Sequence, residues 1–353
     1  MAREARVTQP VAFIFPGQGS QAVGMGADVY RASPAARAIF NAADTAIGFA
    51  LSRLCFEGPE DALRETINTQ PALVTTSLAL LAALQEAAGA PAVADGAEPP
   101  LRAPLTPAWL AGHSVGEYAA LVAAGALDVA AAVRLTRERG RLMHEEGLAI
   151  PSGMAAVLGL DAPALEKVCA EATERTRAAL TPEEAAAHPG AGRVALANDN
   201  APGQIVISGE KRALEAAMEL AKAAGARRVV PLAVSGAFHS PVMAPAAGGL
   251  GRAVDAAPIR DAAIPIVSNI TATPLSAADD IRRELASQIV SPVQWTRSVE
   301  WLAAQGVTLF VEIGSGQVLT GLVKRIARDA ATLSVSSAAD VVAAAPRLAE
   351  ALG

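Results

Sequence analysis

Residues 11–15, Val-Ala-Phe-Ile-Phe, are apolar without interruption and end at Pro16-Gly17. So short and uniform a run, closed by a turn dipeptide, predicts a strand buried on both faces. Helical spacing of apolar positions follows over residues 34–48, 58–66 and 71–88. Residues 89–107 are rich in proline, alanine and glycine, with Pro99-Pro100 inside, and predict a surface loop. A short apolar strand at 107–111 then runs into Gly112-His113-Ser114-Val115-Gly116, and residues 117–124 return to a helical pattern. Asp128 is placed to cap a long helix reaching about Gly147.

Ile150-Pro151-Ser152-Gly153 breaks this texture. Strand patterns at 154–160, 193–197, 204–208 and 227–234 alternate with helical ones at 162–176 and 210–224. Strand-helix-strand-strand-helix-strand is the order of a ferredoxin-like unit. Residues 153–228 therefore predict a small inserted α+β subdomain, with a polar loop at 177–192. Residues 1–152 and 229–353 would form one discontinuous large domain. Strand patterns at 264–268 and 308–312, with helices between and after them, complete its alternation. That predicts an α/β, hydrolase-like domain with a mainly parallel sheet covered on both faces.

Composition narrows the class. The chain has 353 residues, 52% hydrophobic and 18% charged, which fits a soluble globular protein with a large core. Net charge is −6, and no basic stripe or polybasic segment suggests nucleic acid or a membrane surface. The first ten residues are mixed and polar, without the apolar core of a secretory leader. The most apolar stretch, 71–88, is interrupted by threonine, serine, glutamine and glutamate and gives no clean membrane span. Cys55 and Cys169 lie far apart without metal-ligand spacing, and His113, His144, His188 and His239 form no paired motif. No metal site is expected, and a reducing, cytoplasmic compartment fits best.

The chemistry centres on Ser114. A serine between glycines at −2 and +2, after a strand and before a helix, is a nucleophile elbow. It aims the hydroxyl outward beside a helix N-terminus, where backbone N–H groups can stabilise an oxyanion. The alternative is a glycine-rich connection with an incidental serine. A nucleophilic serine needs a base. His239, after the last strand of the insertion, is the best placed. His144 and His188 lie in charged or loop surroundings, and the His113 side chain should diverge from that of Ser114. Gly17-Gln18-Gly19 can bring backbone close to a ligand. It fits either an oxyanion loop that works with the Val115 N–H, a tight turn, or a loose dinucleotide fingerprint lacking its acidic partner. On the long helix, Ala132, Leu135, Arg139, Leu142 and Met143 share one face, while Arg134, Glu138, Arg141 and Glu145 share a polar one. A buried Arg139 calls for an anion, either an internal carboxylate or a substrate carboxylate.

Together these residues resemble the malonyl-CoA:acyl carrier protein transacylases of fatty acid synthesis. The resemblance runs from about Val11 to Arg325. It is carried by Phe15-Pro-Gly-Gln-Gly-Ser-Gln21, Thr69-Gln-Pro-Ala72, Gly112-His-Ser-Val-Gly-Glu-Tyr118 and Glu138-Arg-Gly140. It continues in Asn198-Asp-Asn-Ala-Pro-Gly-Gln204, Gly236-Ala-Phe-His239, Ser291-Pro-Val-Gln-Trp-Thr296 and Glu312-Ile-Gly-Ser-Gly316. The resemblance implies a ping-pong transfer from malonyl-CoA to the phosphopantetheine thiol of acyl carrier protein, with no other cofactor. Ser114 would be the nucleophile, His239 the base and Gln294 its orienting partner. The N–H groups of Gln18 and Val115 would hold the oxyanion, and Arg139 the malonyl carboxylate. Gln70 and Asn198 would lie at the pocket. Phe238 would favour malonyl over branched units by crowding C2, where one methyl is worth about 1–3 kcal/mol. Loops 89–107 and 177–192 look longer than the family's.

The competing reading is a serine hydrolase, either an esterase or a patatin-like lipase. The latter wants an Asp-Gly-Gly/Ala after the serine, and the one Asp-Gly-Ala here, Asp95-Gly96-Ala97, precedes it. An α/β-hydrolase wants its histidine near the end of the domain, yet more than a hundred residues follow His239.

Overall fold

The computed structural model describes residues 10–92, 97 and 99–352. The polar N-terminus and Asp95-Gly96 lie outside them. The strands, in chain order, are β1 (Val11–Phe15), β2 (Trp109–Gly112), β3 (Ser152–Leu158), β4 (Val194–Ala201) and β5 (Gln204–Glu210). They continue as β6 (Arg228–Pro231), β7 (Ile266–Val267), β8 (Pro274–Leu275), β9 (Leu309–Ile313) and β10 (Ala331–Val335). Two sheets result, ordered β10-β9-β1-β2-β7-β8 and β4-β5-β3-β6.

The first sheet is parallel except at the β7–β8 edge. β1 sits inside it, paired with β2 and β9, which explains its unbroken apolar run. Its alternate residues enter two different cores. Val11, Phe13 and Phe15 join one with Leu73, Leu78 and Leu81. Ala12 and Ile14 join the other with Val299, Leu302, Phe310 and Val323. Truncating Phe15 to alanine should cost about 3–5 kcal/mol, since its ring is fully buried.

The helix Thr66–Ala87 runs through the larger core and begins five residues before the predicted start. It is long and apolar enough to cross a membrane, but 89% of its most apolar window is buried inside the protein. Pro71 lies within it and has no N–H to give to the carbonyl four residues back. That carbonyl, Ile67 O, instead accepts from Arg137 Nη1 at 3.0 Å. The neighbouring helix Val129–Ala149 starts where expected, with Asp128 accepting from Ala131 N–H at 2.6 Å. Gly140 lets the two helices touch, since a Cβ there would lie 2.7 Å from Thr66 O.

The second sheet is antiparallel throughout. One face packs Ala155, Val157, Ile205 and Ile207 under the helices Ala162–Ala178 and Lys211–Ala223. The period-2 alternation turns Met154 and Val206 the other way, into the large core beside the serine. Residues 177–192 are not merely a loop, because they contain the helix Pro182–Ala187, opened by a capping box between Thr181 and Glu184.

Candidate active site

β2 ends at Gly112, and the helix Gly116–Ala123 begins four residues on. Between them Ser114 adopts φ 51°, a left-handed backbone that β-carbon residues rarely take. Both flanking glycines are required. A Cβ at Gly112 would lie 2.0 Å from the Gly116 carbonyl carbon, and one at Gly116 would lie 2.2 Å from Phe15 O. Gly17 is equally constrained, since a Cβ there would sit 2.5 Å from His113 O. The elbow and the Gly17-Gln18-Gly19 turn therefore press together across β1 and β2.

Ser114 Oγ lies 2.7 Å from His239 Nε2. His239 is 3% exposed and also has a positive φ, 57°. Its Nδ1 faces two backbone carbonyls, Gln288 O at 2.9 Å and Ser291 O at 3.2 Å. Carbonyls only accept, so Nδ1 carries the proton and Nε2 presents its lone pair to the serine. Burial, and then the Arg139 charge, lower the His239 pKa to about 3, against the pull of those two carbonyls. The ring is therefore neutral and competent as a proton acceptor.

Gln294, expected to orient His239, is not among the acceptors that His239 Nδ1 meets. Gln294 opens the helix Trp295–Ala304, where its N–H donates to Asn269 O at 2.7 Å and its carbonyl accepts from Ser298 N–H at 2.9 Å. Gln288 instead closes the helix Ala278–Gln288, so its carbonyl is one of the last-turn acceptors that a helix leaves for outside donors. His239 uses it.

Arg139 is 1% exposed. Nη1 donates to Gln70 Oε1 at 2.7 Å, and Nη2 to Gln288 Oε1 at 2.8 Å and Ser114 Oγ at 3.2 Å. Nε is buried without a partner. Among the described residues no carboxylate forms an ion pair with it, so the internal salt bridge is not what holds this cation. Arg141, on the polar face as expected, pairs with Glu138 and Glu145.

A cavity of about 160 Å³ joins these groups. Gln18, His113, Ser114, Arg139, Asn198, Asn200 and His239 supply its polar lining, and Val115 also borders it. Met143, Met154, Val206, Leu232, Val234 and Phe238 supply its apolar walls. The backbone N–H groups of Gln18 and Val115 have no hydrogen-bond partner among the described residues. Gln70 stands one layer back, donating Nε2 to Met143 Sδ at 3.3 Å as well as holding Arg139. His113 diverges from the serine as expected and meets Asn200 Oδ1 at 2.8 Å. His188 pairs with Glu146 at 2.5 Å, outside the residues that line the cavity. A second hollow, about 140 Å³ and lined by Gly17, Gly19, Gln204, Val318 and Leu322, adjoins the first through Gln18, His113 and Asn200.

The sequence reading missed Gln288, Asn269 and Glu117. Asn269 Oδ1 accepts the Ser114 N–H at 2.7 Å, and its Nδ2 donates to Gly112 O at 2.6 Å. Glu117 had one visible signal, an acid set immediately after the elbow in an otherwise apolar helix.

Fold and site thus define an α/β enzyme with a serine–histidine pair beside a buried, carboxylate-free arginine. Residues 12–348 match the family described as acyl transferase domain. The malonyl CoA-acyl carrier protein transacylase of Bacillus subtilis is 45% identical over 92% of this chain and 93% of its own length. The crystal structure of an acyl-carrier-protein-S-malonyltransferase from Bartonella henselae superimposes with a TM-score of 0.85 at 38% identity, covering 96% of this chain and 99% of that one. A type II polyketide acyl-carrier protein in complex with its malonyl-transacylase gives a TM-score of 0.84 at 37% identity, over 96% and 99%. The chain belongs to the acyl transferase family.

Proposed function

We propose that this protein transfers a malonyl group from malonyl-CoA to the phosphopantetheine thiol of acyl carrier protein, through a malonyl-serine intermediate, in the cytoplasm. One observation carries the reading. The Ser114–His239 contact at 2.7 Å and an Arg139 Nη2 that lacks a carboxylate partner, 3.2 Å from the same Oγ, share one cavity. A nucleophile beside an unneutralised guanidinium suits an acyl group that carries its own carboxylate.

Ser114 Oγ attacks the thioester carbonyl while His239 Nε2 takes its proton. The oxyanion rests on the N–H groups of Gln18 and Val115. Collapse breaks the C–S bond, and His239 returns the proton to the departing CoA sulfur. The carrier thiol then enters, His239 removes its proton, and the thiolate attacks the malonyl ester. When the C–O bond breaks, the proton goes back to Ser114. Atoms and protons balance with the two thiols and these side chains alone. Phe238, 5% exposed on the cavity wall beside the base, supports a preference for unbranched acyl groups. The strand order β4-β5-β3-β6, all antiparallel under two helices, supports reading 153–228 as an inserted ferredoxin-like subdomain of a discontinuous hydrolase-like domain.

The test is direct. Labelled malonyl-CoA should leave an adduct on the wild type and none on Ser114→Ala, and holo-acyl carrier protein should then discharge it. An adduct that survives on the variant overturns the role of Ser114. An adduct that drains to free malonate and never reaches the carrier favours a hydrolase.

A further inference from the structure

A buried carboxylate stands behind the serine and touches none of the reacting atoms. Glu117, in the first turn of the helix Gly116–Ala123, is 1% exposed. Its Oε1 accepts from the Asn269 backbone N–H at 3.1 Å and from Asn269 Nδ2 at 3.2 Å, and its Oε2 accepts from Gln288 Nε2. Every group that meets it is an N–H donor. Although burial raises the Glu117 pKa, both of its oxygens accept from these N–H groups, and that dictates which way each side-chain amide faces. Asn269 turns its –NH2 to Glu117 and keeps Oδ1 for the Ser114 N–H at 2.7 Å. Gln288 turns its –NH2 to Glu117 and to Ser114 O at 3.1 Å, and keeps Oε1 for Arg139 Nη2 at 2.8 Å. Were the Gln288 amide reversed, its –NH2 would oppose the guanidinium, donor against donor. Arg139 would then lose an acceptor in a fully buried site, where an unmet N–H is costly.

We infer that Glu117 is a positioning residue for acyl selection: through the Gln288 amide it holds the Arg139 guanidinium in the orientation that receives a carboxylate-bearing acyl group. This rests on the proposed binding of the malonyl carboxylate by Arg139. It assigns Glu117 a role in acyl selection, because the link runs from Glu117 to Gln288 to Arg139. The elbow is tied both through Asn269, whose contacts are kept when the Gln288 amide turns, and through Gln288 Nε2 to Ser114 O, which goes with that turn.

Glu117→Gln forces that turn. The introduced amide has one acceptor oxygen, and Asn269 brings two donors to it. The oxygen therefore stays with Asn269, and the new –NH2 faces Gln288, whose amide must turn and withdraw its oxygen from Arg139. The measurement is kcat/KM for acylation of Ser114 by malonyl-CoA and by acetyl-CoA, with thermal melts alongside. The malonyl-to-acetyl ratio should fall by about tenfold or more, mainly through a raised KM for malonyl-CoA, as a displaced positioning group demands. A merely structural role would lower both substrates together, and an unchanged ratio overturns the inference. Should Glu117→Gln fail to fold, Gln288→Met removes the same oxygen at similar bulk and must give the same fall in ratio. A wild type that takes no malonyl label overturns both this inference and the functional reading. A wild type that takes it, with variants of unchanged ratio, overturns this inference alone.

Discussion

Two segments grip Ser114 from opposite sides, and they are built on different terms. Residues 112–116 act through what their side chains lack. Gly112 and Gly116 clear space that a single Cβ would fill at 2.0–2.2 Å, and the strained serine follows from that clearance. Residues 288–291 act through backbone, since the two acceptors that His239 Nδ1 meets, at 2.9 and 3.2 Å, are carbonyls. A carboxylate in that position would stabilise an imidazolium, whereas the carbonyls fix the tautomer and leave the ring neutral. The difference teaches that one site can fix a serine's backbone by residue type and a histidine's tautomer by chain path.

Removing the base should break the site most. His239→Ala should slow malonyl transfer to Ser114 by about 10²- to 10⁴-fold, the usual worth of a positioned proton acceptor. Stopped-flow acylation measures it. Unchanged burst kinetics would mean that another group takes the serine proton, and His113 would be the next to remove.

Arg139→Ala comes next. The side chains that hydrogen-bond Arg139 are neutral, Gln70, Gln288 and Ser114, so the substitution breaks no direct ion pair and the fold should stand. Malonyl-CoA should lose about 2–5 kcal/mol of binding, the typical cost of breaking a buried charge contact. Acetyl-CoA should acylate as well as before or better. An unchanged ratio of kcat/KM for the two substrates, or a protein that unfolds, would return Arg139 to a structural role.

The same asymmetry explains what was legible in the sequence. The elbow was readable because glycine spacing is a direct record of steric need, and Arg139 because helical periodicity put one cation on an apolar face. The strands and helices between Ser152 and Pro231 were readable as an order of elements, to within a few residues at their ends. The orienter was not readable. A carbonyl belongs to every residue, so nothing in the type of Gln288 marks the one that meets His239. The motif Ser291-Pro-Val-Gln-Trp-Thr296 drew the expectation to Gln294, six residues beyond the Gln288 carbonyl that His239 Nδ1 meets. Glu117, Asn269 and Gln288 are adjacent only through contacts that span more than 150 residues of chain, and no local period records that.

The neutral histidine carries a pH signature. Its folded pKa is lowered to about 3, while the unfolded chain takes up the proton near 6.5. Between those values the unfolded state binds more protons, so stability is full above 6.5 and falls as the pH drops through the window. The slope is at most about 1.4 kcal/mol per pH unit. Glu117, Glu284, Glu312 and Asp199, all shifted upward by burial, contribute the opposite sign and are shared by a His239→Gln variant. Urea midpoints at pH 7 and pH 5 should therefore fall further on acidification in the wild type than in that variant. Equal falls would show that His239 titrates near its ordinary value.

The smallest effect separates the two glutamines. Gln294 makes its hydrogen bonds through backbone, so Gln294→Ala keeps the Asn269 and Ser298 contacts. It should change stability by no more than about 0.5 kcal/mol and acylation by no more than about twofold. Gln288→Ala also keeps its backbone carbonyl, so His239 should stay oriented and the acetyl-CoA rate should survive. Its side-chain oxygen is lost, however, and Arg139 Nη2 loses an acceptor that now sits at 2.8 Å. The pair of variants thus divides the residue from its carbonyl. Gln288→Ala should cost malonyl selectivity without the loss seen for His239→Ala, and Gln294→Ala should cost neither. A Gln294→Ala enzyme as slow as His239→Ala would restore the orienting role to that side chain. A Gln288→Ala enzyme slow toward both substrates alike would mean that its side chain, and not its carbonyl, holds the base in place.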